Sequence, residues 1–204
     1  MISAKTIERL FLYRRLMTDL IKRDTRFVFS HELANMSQSS PAQVRRDLMT
    51  AGITGSSSRG YDVVNLKSRF DEILHSSVQK AALVGIGNLG RAILSYFPHR
   101  SPAVEIVAAF DSDSSKTDRI IHGIRTYAVD NLDQVVHQTD VSLGIITTPK
   151  DAAQTTADSM IVAGIRGILN FAPVPVRVPA GIFIESLDLT TSLEKLAYFS
   201  RRPH

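Results

Sequence analysis

The chain has 204 residues, 44% of them hydrophobic and 22% charged, a composition typical of a globular protein with one large domain or two modest ones. It contains no cysteine, which excludes disulfides, thiolate zinc sites and cysteine nucleophiles. The net charge of +4 is unevenly distributed along the chain. Residues 1–80 hold 13 Lys and Arg against 8 Asp and Glu, while residues 81–204 hold 11 against 12. This asymmetry favours a basic module that binds a polyanion.

The first predicted element is an amphipathic helix. Its apolar residues recur at three- and four-residue spacing: Ile7, Leu10, Phe11, Met17, Leu20 and Ile21. The same stretch alternates charged and apolar side chains, so it lacks the apolar core of a signal peptide, and no apolar run in the chain is long enough to span a bilayer. We therefore expect a soluble, cytoplasmic protein without a membrane segment.

Two short helices are predicted next. After a β-prone run at residues 27–29, Ser30 is positioned to cap a brief helix that ends at Met36. Ser40 is positioned to cap a second helix, with proline in its first position and Gln43 placed to complete a capping box. Both helices are short enough to form the two arms of a helix-turn-helix.

The next segment predicts a wing. Residues 55–60 form a Gly-bounded, Ser-rich loop, and residues 61–64 are β-prone. Two helices joined by a tight turn, followed by such a loop, predict a winged helix-turn-helix whose second helix enters the major groove. The side chains suited to base edges and phosphates would then be Gln43, Arg45, Arg46 and, at the wing tip, Arg59. The alternative is a small three-helix domain with solvated arginines.

The pattern changes after a predicted connecting helix at residues 66–74 and a soft boundary at residues 76–77. Apolar strands are predicted at residues 81–84, 104–110, 123–127, 141–146, 167–171 and 182–184. Helices are predicted between them at residues 89–97, 132–137 and 152–163. Continuous apolar strands that alternate with helices predict a parallel α/β sheet covered on both faces. The domains are predicted at residues 1–77 and 78–187, with a terminal segment at 188–204.

A glycine-rich motif follows the first of these strands and opens a helix. It consists of Gly85, Ile86, Gly87, Asn88, Leu89 and Gly90. The first glycine permits the tight turn, the second lets a pyrophosphate approach the backbone, and the third allows close packing of helix and strand. The motif therefore predicts a Rossmann dinucleotide-binding domain.

The second strand ends at Asp111, 21 residues beyond Gly90. A carboxylate at this place can accept hydrogen bonds from the ribose hydroxyls and repels a 2′-phosphate. The next residues include no arginine, which favours NAD(H) over NADP(H). The alternative for Asp111 is an ordinary helix or turn cap.

The remaining strand ends carry little catalytic chemistry. Residues 147–149 and 170–173 lie there, and Lys150 is the nearest titratable candidate, although it starts a helix and is expected to face solvent. A dehydrogenase usually needs an acid or base near the reacting carbonyl. No length remains for a substrate domain, so the site is predicted to hold the dinucleotide without reacting it.

At nearly its full length the chain resembles the Rex family of redox-sensing repressors. The matching stretches are residues 9–16, 41–48, 59–63, 85–90, 110–111, 167–173 and 185–188. The resemblance implies a homodimer that binds palindromic operator DNA and releases it when NADH binds, while NAD competes. It also implies that no reaction is catalysed.

The resemblance assigns roles to individual residues. It implies operator contacts from Arg45, Arg46 and a wing that includes Arg59 and Tyr61. It implies that the nicotinamide side of the site is lined by Thr147, Pro149, Asn170, Phe171 and Ala172. It further implies a redox-dependent switch formed by Arg15, Tyr96 and Asp188. The alternatives for this trio are a solvated arginine, a half-buried tyrosine and a helix-capping aspartate.

The last predicted helix, residues 190–199, has an apolar stripe, and little of the core remains for it to cover. The resemblance implies that it inserts into the partner subunit as a domain-swapped helix; the alternative is packing on its own sheet. One departure from the family concerns the wing, where the chain has Ser56, Ser57 and Ser58 instead of additional cations. We therefore expect weaker contact of the wing with DNA phosphates and an operator affinity that depends less steeply on salt concentration.

Three functions are compatible with the sequence. The leading hypothesis is a repressor gated by NADH. The second is an NAD-dependent oxidoreductase with an N-terminal interaction domain, and the third is a structural module that grips CoA, against which Asp111 argues.

Overall fold

The computed structural model describes residues 2–56, 59–74, 77–97 and 103–201. The chain divides into two compact units, residues 1–77 and 78–204, which are described separately below. Three serines named above, Ser57 and Ser58 of the wing loop and Ser76 at the boundary, lie outside the described residues. Within the described ranges, no helix is both long and apolar enough to cross a membrane.

The first unit contains four helices and a two-stranded antiparallel sheet. The helices are α1 (Ala4–Lys22), α2 (Ser30–Met36), α3 (Pro41–Thr50) and α4 (Val63–Leu74). The strands β1 (Phe27–Val28) and β2 (Tyr61–Asp62) pair with Val28 opposite Tyr61. The predicted helix-turn-helix with a short wing is confirmed.

A single apolar cluster holds these helices together. Leu10, Tyr13 and Met17 of α1 are fully buried and share the cluster with Phe70 of α4. Val44 and Leu48, four residues apart, seat α3 on this core. The opposite face of α3 is therefore turned to solvent.

Of the two predicted serine caps in this unit, one forms. Ser30 is the first residue of α2 and does not cap it; instead the carboxylate of Glu32 accepts a hydrogen bond from the Phe29 N–H at 2.7 Å. Ser40 does cap α3, because its Oγ accepts the Gln43 N–H at 3.2 Å. The side chain of Gln43 turns to Asp47 rather than back to the cap, so the predicted capping box does not form.

The second β-prone run is shorter than predicted. Val63 and Val64 begin α4 instead of extending the strand. Asp62 explains the change, because its Oδ1 accepts the Asn65 N–H at 3.0 Å and so caps the new helix.

The second unit is a seven-stranded sheet in the order β5-β6-β4-β3-β7-β8-β9. The strands are β3 (Gln79–Val84), β4 (Val104–Asp111), β5 (Ile120–Ile121), β6 (Ile124–Ala128), β7 (Leu143–Ile146), β8 (Gly167–Asn170) and β9 (Phe183–Ser186). All neighbours pair in parallel except β5 and β6. The predicted parallel sheet is confirmed, while the hairpin of β5 was not predicted. Its turn residues His122 and Gly123 both have positive φ, as a tight two-residue hairpin requires.

Helices α5 (Asn88–Tyr96), α6 (Leu132–Thr139) and α7 (Lys150–Val162) cover the two faces of this sheet. A further helix, α8 (Leu189–Ser200), follows β9. Ile93 and Leu94 of α5 belong to one buried cluster, whereas α6 and α7 pack in a second cluster that includes Phe110 and Ile146. The strand order reverses between β3 and β7, so that the helices before and after this point cover opposite faces of the sheet. Ligands of such sheets bind at the carboxyl ends of the strands beside this reversal.

Helix α8 has no buried residue. Leu193 and Leu196 are 67% and 65% exposed, and Phe199 is 60% exposed. The apolar stripe is thus not covered by the described part of its own chain, which argues against simple packing on its own sheet. Exchange of the helix between subunits stays a prediction.

Candidate functional site

A cavity of about 1160 Å³ opens at the carboxyl ends of β3, β4 and β7, entirely within the second unit. The Gly-rich turn lines one side of it through Gly85, Gly87, Asn88 and Leu89, and Asp111 lies at the end of β4. The cavity therefore joins the two sequence features that predicted a dinucleotide site.

At each glycine of the motif, a different geometric feature explains why a side chain is absent. Gly85 has φ +105°, and a Cβ there would lie 2.7 Å from the Thr147 carbonyl. A Cβ on Gly90 would collide with the carbonyl oxygen of Gly85. Gly87 differs, because a Cβ there would meet nothing within 4 Å and would project into open space. Gly87 consequently leaves room for a ligand rather than for the protein.

The adjoining helix terminus suits an anion. Gly87 is the N-cap of α5 and offers no side-chain hydrogen bond, so the first amides of the helix remain available. The Oγ1 of Thr148, a lining residue, is buried and has no hydrogen-bond partner within the described structure. Free amides and an orphaned hydroxyl around an open cradle fit a bound pyrophosphate group.

The carboxylate of Asp111 is held in place by backbone and side-chain donors. Its Oδ2 accepts the Ile86 N–H at 2.7 Å, and its Oδ1 accepts the Asp113 N–H at 2.9 Å. The ammonium of Lys116 lies 3.2 Å from Oδ2. Sequence reasoning missed Lys116, which a 3-10 turn at Ser114–Lys116 brings back to the strand end.

Carboxylates outnumber cations in the cavity lining. Lys116 is the only cation among the described lining residues, whereas five aspartates line the same space: Asp111, Asp113, Asp130, Asp133 and Asp158. Hydrogen bonds from Ser115, followed by the nearby Lys116, lower the pKa of Asp113. An additional phosphate beside Asp111 would meet a net negative charge, because the carboxylates of Asp111 and Asp113 outnumber the ammonium of Lys116 there.

The predicted nicotinamide-side residues fall into two groups. Thr147, Pro149 and Phe171 line the cavity. Asn170 is buried, with its Nδ2 donating to the Val174 carbonyl at 2.9 Å and its Oδ1 accepting the Ala172 N–H at 3.0 Å. Asn170 thus shapes the loop that carries Phe171, and direct ligand contact by Asn170 and Ala172 stays a prediction.

The exposed face of α3 carries the predicted DNA contacts in the first unit. Arg45 is exposed, and one N–H of its guanidinium donates a hydrogen bond to the Ser30 Oγ at 3.1 Å. Arg46 is exposed, and no hydrogen bond or ion pair of its side chain occurs within the described ranges. Gln43 is half-buried and donates to Asp47 at 2.8 Å, so it points less outward than predicted.

A buried ionic network, not recognised in the sequence, fixes the orientation of α3. Asp47 is 1% exposed and accepts two hydrogen bonds from the Arg9 guanidinium, at 2.6 and 2.7 Å. The Tyr13 hydroxyl donates to the same carboxylate at 3.0 Å. Burial alone would raise the pKa of Asp47, but the hydrogen bonds from Arg9, Gln43 and Tyr13 outweigh it and lower that pKa. The spacing of these residues gives no local signal.

The wing is compact. Ser56 and Gly60 form an isolated antiparallel bridge, and Arg59 is exposed beside it. The ring of Tyr61 packs on Gly55, where a Cβ would overlap it. Tyr61 therefore supports the wing, and an operator contact by this residue stays a prediction.

The three predicted switch residues occupy helices of both units. Arg15 is exposed on α1, and Tyr96 is 57% exposed on α5. Asp188 caps α8, accepting the Thr191 N–H at 3.0 Å and the Thr191 hydroxyl at 2.6 Å. These hydrogen bonds lower the pKa of Asp188. The helix-capping alternative thus holds for Asp188, and the redox role of the trio stays a prediction.

Comparison with known proteins places this geometry in a family. Residues 76–174 match the family described as "CoA binding domain", and residues 1–48 match "Putative DNA-binding protein N-terminus". The redox-sensing transcriptional repressor Rex of Lactobacillus acidophilus is 40% identical over 199 residues, covering 97% of this chain and 94% of that protein.

Solved structures agree over the same length. A crystal structure of RSP in complex with β-NAD⁺ and operator DNA matches with a TM-score of 0.92 and 30% identity, covering 98% of this chain and 93% of that one. RSP in complex with β-NADH matches with a TM-score of 0.85 and 29% identity, covering 98% and 94%. The chain belongs to the Rex family of redox-sensing transcriptional repressors.

Proposed function

We propose that this protein represses transcription by binding a palindromic operator when NADH is scarce and by releasing it when NADH binds. One observation carries the proposal: RSP, a Rex-family repressor, matches both units at a TM-score of 0.92 in a complex that holds β-NAD⁺ and operator DNA. The proposed working form is a homodimer, since a palindrome presents two symmetric half-sites.

The first unit is the proposed operator-binding module. Arg45 and Arg46 project from the solvent face of α3 and suit guanine edges in the major groove. Arg59 at the wing suits phosphate or the minor groove. The Arg9–Asp47 pair fixes α3 on α1, so the reading face is presented without further ordering.

The second unit is the proposed NAD(H) site. The free amides of α5 and the space above Gly87 would hold the pyrophosphate, and Asp111 would accept the ribose hydroxyls. Thr147, Pro149 and Phe171 would lie along the nicotinamide. The ring supplies the signal, because it is positively charged in NAD and neutral in NADH. The excess of the Asp111 and Asp113 carboxylates over the Lys116 ammonium favours NAD(H) over its phosphorylated form.

Helix α8 is the proposed dimerisation element. Its apolar face is exposed along its whole length, which is unfavourable in a monomer. Insertion of α8 into the partner subunit would connect closure of the NADH site to the spacing of the two α3 helices. Arg15, Tyr96 and Asp188 would exchange partners in that movement.

We propose no catalytic activity for this protein. We propose a cytoplasmic location, because its operator DNA would lie in the cytoplasm. The oxidoreductase alternative requires an acid or base beside the nicotinamide, whereas Thr147, Pro149 and Phe171, the described lining residues assigned to that side, carry no carboxylate, imidazole or amine. The CoA alternative is supported by the matching family description for residues 76–174. Turnover of NADH with aldehydes or keto acids would support the first alternative, and competition by CoA would support the second.

The test is a fluorescence anisotropy titration. Duplexes selected by the protein from a random library are labelled and titrated with the protein alone, with NAD and with NADH. We expect tight binding alone and with NAD, and release with NADH. Binding that ignores both nucleotides would overturn the proposal.

A further inference from the structure

Five residues form the solvent face of α3. They occupy positions one and two turns apart on one side of the helix and line a shallow groove: Ala42, Arg45, Arg46, Met49 and Thr50. Met49 is 71% exposed and does not belong to the apolar cluster of its unit. A large apolar side chain thus stands beside two arginines without packing on its own domain.

Charge indicates what covers this face. Arg45 and Arg46 precede Met49 by one turn, so any partner of Met49 must also accept two cations. An apolar protein partner would have to desolvate or pair both guanidinium groups. The major groove offers acceptor edges and, next to them, the 5-methyl group of thymine, which is its main apolar feature.

We propose that Met49 is a specificity-determining residue that contacts a thymine methyl group in each operator half-site. The inference rests on the proposed function and deepens it, because it names a base that the arginines do not read. Met49 lies about 10 Å further along the helix than Ala42, at 1.5 Å per residue. Met49 therefore reaches a part of the groove that the side chains at the start of α3 do not reach.

The test removes single methyl groups from the DNA. In a duplex selected by the full-length protein from a random library, each thymine is replaced by deoxyuridine at symmetric positions, and affinity is measured for the wild type, Met49→Ala and Met49→Leu. We expect one position at which the wild type loses about fourfold per methyl group, or about 15-fold for both half-sites, the value of a buried CH₂ group.

The two variants separate the contact from other effects. Met49→Ala is expected to bind the normal duplex about 15-fold more weakly and to be insensitive to deoxyuridine at that one position, since the contact is absent already. Met49→Leu keeps an apolar side chain and is expected to remain sensitive. Because Met49 is exposed and alanine favours helix, circular dichroism of both variants is expected to match the wild type.

Two kinds of failure are distinguishable. If a selected duplex binds specifically but every deoxyuridine substitution affects wild type and Met49→Ala equally, the inference is wrong while the proposed function stands. If no duplex is selected, the proposed function itself falls and the inference with it.

Discussion

Replacing Asp47 with asparagine removes one negative charge from the interior of the first unit with almost no change in shape. The carboxylate accepts two hydrogen bonds from Arg9, one from Tyr13 and one from Gln43. The amide of asparagine keeps one acceptor and turns a donor toward these donors. We expect a large loss of stability and a misplaced α3.

The magnitude follows from burial. Breaking a buried ion pair costs about 3–5 kcal/mol, and the low end applies because the Arg9 side chain is 28% exposed and can be partly hydrated. A loss of about 3 kcal/mol lowers the melting temperature of a domain of this size by about 12–24 °C. Operator affinity is expected to fall with it, since Asp47 lies on α3 itself.

The assay is thermal and urea unfolding followed by circular dichroism at 222 nm, because the chain contains no tryptophan. Hydrogen exchange measured on peptides of α1 and α3 locates the loss. The matched control is Asp71→Asn, which removes a 41% exposed carboxylate paired with Lys67 and is expected to cost below about 1 kcal/mol. Equal effects of the two substitutions would refute the assigned role of Asp47.

The pH dependence has a definite sign. Because the folded state lowers the pKa of Asp47, its contribution is fully present above the unfolded pKa of about 3.9 and is lost as the pH falls through the folded value. The difference in stability between wild type and Asp47→Asn is therefore expected to be constant near neutral pH and to shrink in acid below that pKa. A difference that grows as the pH falls would contradict the assignment.

Three further predictions concern the two sites and the last helix. Gly87→Ala is expected to keep its melting temperature and to bind NADH at least about tenfold more weakly in a fluorescence titration, because its Cβ projects into the pyrophosphate space. Gly90→Ala is the contrasting control and is expected to unfold at lower temperature, because its Cβ collides with the Gly85 carbonyl. Arg46→Ala is expected to lose about 1–3 kcal/mol of operator binding in anisotropy measurements with an unchanged circular dichroism spectrum. Removal of residues 189–204 is expected to give a monomer in sedimentation velocity and weak operator binding, since α8 carries the exposed apolar stripe. Unchanged NADH affinity in Gly87→Ala, unchanged operator affinity in Arg46→Ala, or a persistent dimer after truncation would each disprove the corresponding assignment.

The features that were predictable from sequence are those with local signals. The glycine motif follows a strand and opens a helix. The structure shows the steric need for glycine at Gly85 and Gly90, and it shows the open space beside Gly87. The cap of α3 by Ser40 spans three residues and was likewise predictable. The parallel sheet follows from apolar strands alternating with helices.

The features that were missed depend on the tertiary fold. Arg9 and Asp47 are 38 residues apart, so no helical or strand periodicity relates them. Lys116 reaches Asp111 only because a 3-10 turn folds the chain back. Asp113 caps this turn, its Oδ1 accepting the Ser115 N–H at 2.9 Å. The same reasoning placed Val63 and Val64 in a strand on β propensity, whereas the cap at Asp62 commits them to a helix.

In the proposed function, NADH and operator DNA each weaken the binding of the other to this protein. The most direct measurement is the NADH affinity of the full-length protein with and without saturating operator, set against the operator affinity with and without saturating NADH. Reciprocal coupling requires both ratios to be equal, and each factor of ten corresponds to about 1.4 kcal/mol. We expect operator to weaken NADH binding by the factor by which NADH weakens operator binding. An NADH affinity that operator leaves unchanged, in a protein that binds both, would contradict the claim.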